Sequence, residues 1–126
     1  APDLQDVYRM AVDAYAVQHP GSPSRQSIQS VGVHLIRLCL FIEHQLPAHK
    51  ANAMMLAAAQ NKAAFHWLTP PEERGKISVQ DVHQAATVEA YRQQVQCWAH
   101  SAWQAWAMHH AQIRQWLALV LKNTQH

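Results

Sequence analysis

Ten histidines occur in this chain of 126 residues, and three of them interrupt segments that otherwise read as apolar helix. His34 lies in Val31-Gly32-Val33-His34-Leu35-Ile36, and His109 and His110 follow Trp103-Gln104-Ala105-Trp106. A buried imidazole without a partner is costly, so rings at such positions call for a hydrogen-bond acceptor, a metal or a reacting proton. Divalent metals such as zinc take imidazole nitrogen and carboxylate oxygen, and helical bundles gather such ligands from facing helices. The ligand pool is Asp13, His19, His34, His109 and His110. Three of these would leave a fourth position open for water, the arrangement of a metal-dependent hydrolase. No His-x-x-x-His or His-Glu-x-x-His pair puts two ligands on one helical face, so only tertiary folding could assemble them.

The same residues support a metal-free reading. The catalytic candidates are Asp13, His34 and His109; in this reading Asp13 would orient His34 or His19 as a general base. A third reading gives each ring a separate structural duty: His19 beside Pro20 at a helix end, His34 bonded to Asp13 or a hydroxyl, and His109 packed beside tryptophan. His44, His49, His66, His83, His100 and His126 read as surface or loop positions. Tyr15, Trp103 and Trp106, with Met54, form the candidate lining of a small-molecule pocket. The chain has no Cys-x-x-Cys-His attachment motif, which argues against haem. Cys97 and His100 are three residues apart on a helix, but neither sits at a helix N-terminus, where a thiolate is stabilised. With only three glycines there is no phosphate-cradling loop.

The elements that must position these residues are helical throughout. Leu4, Val7, Tyr8, Ala11, Ala14 and Tyr15 predict a helix over about 4–18, stopped by His19-Pro20-Gly21-Ser22-Pro23. Ser24 is the expected N-cap of a second, central helix to about Gln45, carrying Ile28, Val31, Leu35, Leu38 and Ile42 on one face. Pro47 opens a third helix to about Lys62. Phe65 to Ser78 reads as a loop anchored by Trp67 and Leu68. Ser78 and Asp81 form a capping pair for a short helix to about Gln84. From Thr87 to Lys122 one long helix is expected, with a bend near Ala107. Val88, Tyr91, Val95, Trp98, Ala102, Trp106, His109, Ile113, Trp116 and Val120 form its stripe. The fold expected is all-α, an antiparallel bundle of four main helices and one short one, in a single domain over 1–126.

The segment Val12-Asp13-Ala14-Tyr15-Ala16-Val17-Gln18-His19-Pro20-Gly21, with Ser24-Arg25-Gln26-Ser27 and Val33-His34-Leu35, resembles the bacterial family called domain of unknown function 5946. Trp67-Leu68-Thr69-Pro70-Pro71 and Trp103-Gln104-Ala105-Trp106-Ala107-Met108-His109-His110 share the likeness. The Cys-Pro-x-Cys start of many relatives is absent. The resemblance implies a single helical domain and singles out Asp13, His19, His34, His109 and His110. It implies no reaction.

Apolar residues make up 49% of the chain and charged residues 14%, with a net charge of +2. That charge, scattered rather than striped, excludes a nucleic-acid partner as the expectation. No run of eighteen apolar residues predicts a membrane span. The polar start Ala1-Pro2-Asp3-Leu4 predicts no leader peptide, and the expected compartment is cytoplasmic. Cys39 and Cys97 read as two buried free thiols. The expected partner is a small-molecule substrate or ligand. The alternative is a non-catalytic module that forms a homodimer through its tryptophan-rich final helix.

Overall fold

A computed structural model describes residues 3–60 and 62–124. Among them are six α-helices: α1 (Leu4–Gln18), α2 (Arg25–Ile42), α3 (Ala48–Gln60), α4 (Val79–His83), α5 (Val88–Ala105) and α6 (His110–Thr124). There is no strand among the described residues, so the class is all-α. Side chains set the helix starts. The carboxylate of Asp3 accepts from the Asp6 amide at 2.8 Å, the Ser24 hydroxyl from Ser27 at 3.1 Å and the Thr87 hydroxyl from Ala90 at 3.0 Å. Each satisfies an N–H that the first helical turn leaves without a partner. The expected Ser78–Asp81 pair also forms, with the Ser78 amide donating to the Asp81 carboxylate at 2.8 Å.

The bundle is organised around α2, which packs on α1, α3, α5 and α6. Val31, Leu35, Ile36, Leu38, Cys39, Leu40 and Phe41 of this helix are all buried. A helix apolar on nearly every side can only lie inside. At Gly32 the Phe65 ring approaches so closely that an added Cβ would lie 2.6 Å from its Cδ2. Phe65 also meets the Trp116 ring at a centroid distance of 4.7 Å, and thereby links α2 to α6.

Two features differ from the sequence expectation in ways that matter for the site. The long final helix is two helices, separated by a break at Trp106 and a 3-10 turn over Ala107–His109. Trp106 is fully buried, and its indole N–H donates to the Val17 carbonyl of α1 at 3.1 Å. Burying that ring under the end of α1 turns the chain, and α6 then packs against α2 and α3 instead of extending α5. The face of α1 is also rotated from the expected stripe. Val7, Ala14 and Val17 are buried together with the polar residues Asp13 and Gln18, whereas Leu4, Tyr8 and Tyr15 are among the most exposed apolar residues.

Gln18 explains how a polar residue displaces a tyrosine from the core. Its amide N donates to the carbonyls of Arg74 at 2.9 Å and Ile77 at 2.7 Å, and its amide O accepts from the Trp98 indole at 2.8 Å. Three of the bonds a buried amide can make are present, so its burial carries little penalty. The loop over 65–78 is pinned to α1 this way. Arg74 returns a bond from Nη1 to the Gln18 carbonyl at 3.1 Å. Gly75 next to it has φ +107°, and a Cβ there would meet the Ser101 hydroxyl at 2.9 Å. Both the backbone and the space require glycine. Of the two cysteines only Cys39 is buried; Cys97 is exposed on α5. α2 ends at Ile42, short of its expected bound.

Candidate functional site

Besides the Gln18 network, a polar constellation lies inside the bundle, between α1, α2 and α3. Its centre is Asp13, with no exposed surface at all. Its carboxylate Oδ1 lies 2.7 Å from His34 Nδ1, and both oxygens accept from Arg37 Nε at 3.0 Å. Arg37 Nη1 continues to the Asn52 side-chain oxygen of α3 at 3.1 Å. His34 and Arg37 stand three residues apart on α2 and so share one face, aimed at the same carboxylate. A carboxylate cannot stay buried alone; a guanidinium and an imidazole together supply the donors it needs.

This geometry fixes the histidine's chemistry. A carboxylate held against a guanidinium only accepts, so His34 Nδ1 is the donor to Asp13, which in the neutral ring is the tautomer with its lone pair on Nε2. His34 Nε2 has no partner among the described residues. No buried side-chain nitrogen or oxygen among them lacks one either. The His34 side chain as a whole is 18% exposed. The result is an imidazole held at Nδ1 by a buried carboxylate and partly exposed on its other side.

The other members of the expected pool are engaged elsewhere. His19 donates from Nδ1 to the Tyr15 carbonyl at 2.9 Å and stacks on the Tyr15 ring at 4.1 Å. His109 donates from Nε2 to the Thr69 carbonyl at 2.7 Å and sits beside Trp106, tying the helix break to the loop. His110 donates from Nε2 to the Trp103 carbonyl at 2.8 Å and stacks on the Trp103 ring at 3.8 Å. The fold thus brings Asp13 and His34 together and holds His19, His109 and His110 apart from them. Among the described residues no group of three or more histidine, cysteine, aspartate or glutamate side chains is placed to hold a metal ion. Trp103 and Trp106 are packed into the core, while Tyr15 stands on the surface. His44, His66, His83 and His100 are exposed; the His49 side chain and His126 lie outside the described residues.

Arg37 and Asn52 are the members of the constellation that sequence reasoning missed. Arg37 had a signal, since it interrupts Leu35-Ile36-Arg37-Leu38 three residues after His34. Asn52 had none.

A second charged contact lies away from this centre. Glu43, just past α2, forms a two-pronged pair with Arg114 of α6 at 2.9 and 2.8 Å. The hydrogen bond from Arg114 holds the Glu43 carboxyl below the usual carboxylate range. Burial, and next the Glu43 charge, push the Cys39 thiol up to about 12. Cys39 is therefore a protonated, unreactive filler.

A family model described as "Family of unknown function (DUF5946)" matches residues 1–107. The chain belongs to that family, and all four residues of the constellation lie within the matched region. No curated protein and no solved structure matches it.

Proposed function

We propose that this member of the family is a metal-free acid–base enzyme, with His34 as the general base and Asp13 and Arg37 as positioning residues. The observation that carries the reading is the 2.7 Å contact between His34 Nδ1 and a fully buried carboxylate, on a His34 side chain that is partly exposed. An imidazole fixed by a buried aspartate is the arrangement that presents an Nε2 lone pair to a substrate hydroxyl or to water. A merely satisfied core histidine would not need its ring partly exposed. Arg37 holds the carboxylate in place through both oxygens, so rotation of Asp13 away from the imidazole is resisted. Proton abstraction from water or an alcohol, leading to hydrolysis or acyl transfer, is the reaction class this supports.

The zinc-type hydrolase reading rests on the same His34 and has less support. His19, His109 and His110 each use a ring nitrogen on a backbone carbonyl in another part of the fold. A non-catalytic module explains the buried Asp13 but not the partly exposed ring against it.

The test joins a structural readout to an activity one. Long-range proton–nitrogen NMR of the intact protein should show His34 with the proton on Nδ1, and Asp13→Asn should disturb that pattern. Hydrolysis of a panel of carboxylate and phosphate esters should survive a chelator. It should fall at least a hundredfold in His34→Gln, the usual contribution of a positioned base. A His34 proton on Nε2 would overturn the reading. Activity lost to a chelator and restored by zinc would replace it with the metal one.

A further inference from the structure

The outer face of α1 carries two depressions that share a ridge made by Tyr8 and Val12. The first is a hollow of about 340 Å³ between α1, α4 and α5, where Tyr15, Val82, Tyr91 and Trp98 join the ridge. It is almost wholly apolar. The second is a cleft of about 530 Å³ toward α2, where Leu4, Gln5, Arg9 and Arg37 join the same ridge. Tyr8 is 64% exposed, Tyr15 46% and Val12 41%, so apolar surface is open to water along the whole ridge. Apolar exposure of this kind, gathered in one place, marks a binding surface.

Charge decides what would bind. Arg9 makes no hydrogen bond or ion pair with any described residue. Arg37 gives Nε to Asp13 and Nη1 to Asn52, and Nη2 has no partner among the described residues; the side chain is 17% exposed and lines the cleft. The carboxylate that neutralises Arg37 is itself sealed behind it. One end of the surface is thus a pair of guanidinium groups and the other an aromatic hollow. Small-molecule sites commonly combine an apolar enclosure of this size with a few such polar groups, and guanidinium matches the planar carboxylate in shape and charge.

We propose that the two depressions form one binding site for a medium-chain monocarboxylate. The tail would lie in the hollow, the chain would cross the ridge between Tyr8 and Val12, and the carboxylate would meet Arg9 and Arg37. Tyr8 and Val12 are one helical turn apart, about 6 Å along α1. At roughly 30 Å³ for each water-sized group, the hollow has room for about eleven, more than enough for the tail of a ten-carbon acid whose first carbons cross the ridge. The site shares Arg37 with the acid–base constellation, but His34 lines neither depression, and the test variant is therefore made at Arg9.

The probe is sodium decanoate, titrated below its micellar range into the full chain by calorimetry, with decanol and decylamine as controls. One decanoate should bind per chain, and decanol at least tenfold more weakly, the worth of a charge-assisted contact. Arg9→Gln should weaken decanoate about tenfold and leave decanol unchanged. Ala16→Phe, which fills the hollow, should weaken both; if that variant misfolds, the comparison of head groups in wild type and Arg9→Gln still decides. Equal affinity for decanoate and decanol, insensitivity to Arg9→Gln, absence of binding, or binding only to micelles or anionic vesicles would each overturn the proposal.

Discussion

Replacing Gly32 by alanine sets two measurable effects against each other. Gly32 lies inside α2 with ordinary helical backbone, so helix propensity alone favours alanine by about 0.5–1 kcal/mol. The new Cβ, however, would lie 2.6 Å from Phe65 Cδ2 and 3.1 Å from both Cγ and Cε2. Phe65 is 7% exposed and leans on Trp116, which is 3% exposed, so the ring has little room to retreat. Forcing atoms into a packed core costs about 1–3 kcal/mol. The steric effect is the larger, and Gly32→Ala should lose about 1–2 kcal/mol net. Urea denaturation followed by tryptophan fluorescence measures this, and an unchanged slope shows that the native state is altered only locally. In a Phe65→Ala background the crowding atoms are gone. There the same substitution should stabilise by about 0.5–1 kcal/mol, measured with an osmolyte present to keep that variant folded. A stabilising Gly32→Ala in the wild type, or an equal cost in both backgrounds, would refute the packing argument.

Two further predictions concern the other end of α2. With the Cys39 thiol pushed up to about 12 and buried, and Cys97 exposed, a disulfide reagent at about pH 8 should titrate one thiol per folded chain and two after denaturation; two fast thiols would refute the burial. Glu43 is held below its ordinary value in the folded state, so its pair with Arg114 stabilises above the unfolded carboxylate range and that contribution is lost as the pH falls through the folded value. Glu43→Gln should therefore flatten the loss of stability between about pH 5 and 3, without changing its slope near neutrality; an unaltered acid limb would show the pair to be idle.

The sequence by itself determined the helices, because they depend on neighbours. Three-and-four spacing of apolar residues, the caps Ser24 and Ser78, and the Pro20 and Pro23 stops are all local, and α1 runs over the expected Leu4–Gln18. It also picked out Asp13 and His34, since a polar residue inside an apolar helical run is visible without a fold. What it gave wrongly is which side of α1 faces inward. By hydropathy Leu4, Tyr8 and Tyr15 outrank Asp13 and Gln18, yet the latter two are buried, because partners from α2, α5 and the 65–78 loop satisfy their polar atoms. Those partners are up to 80 residues away in the chain, and no local pattern reports them. The break at Trp106 has the same origin: the heptad-like spacing continues through it, but the indole's bond to Val17 comes from another helix. So does the sorting of the histidines. All of the pool was equally plausible as sequence; tertiary packing alone set His34 against a buried carboxylate and gave His19, His109 and His110 backbone carbonyls, because the distances between helices decide which donor meets which acceptor.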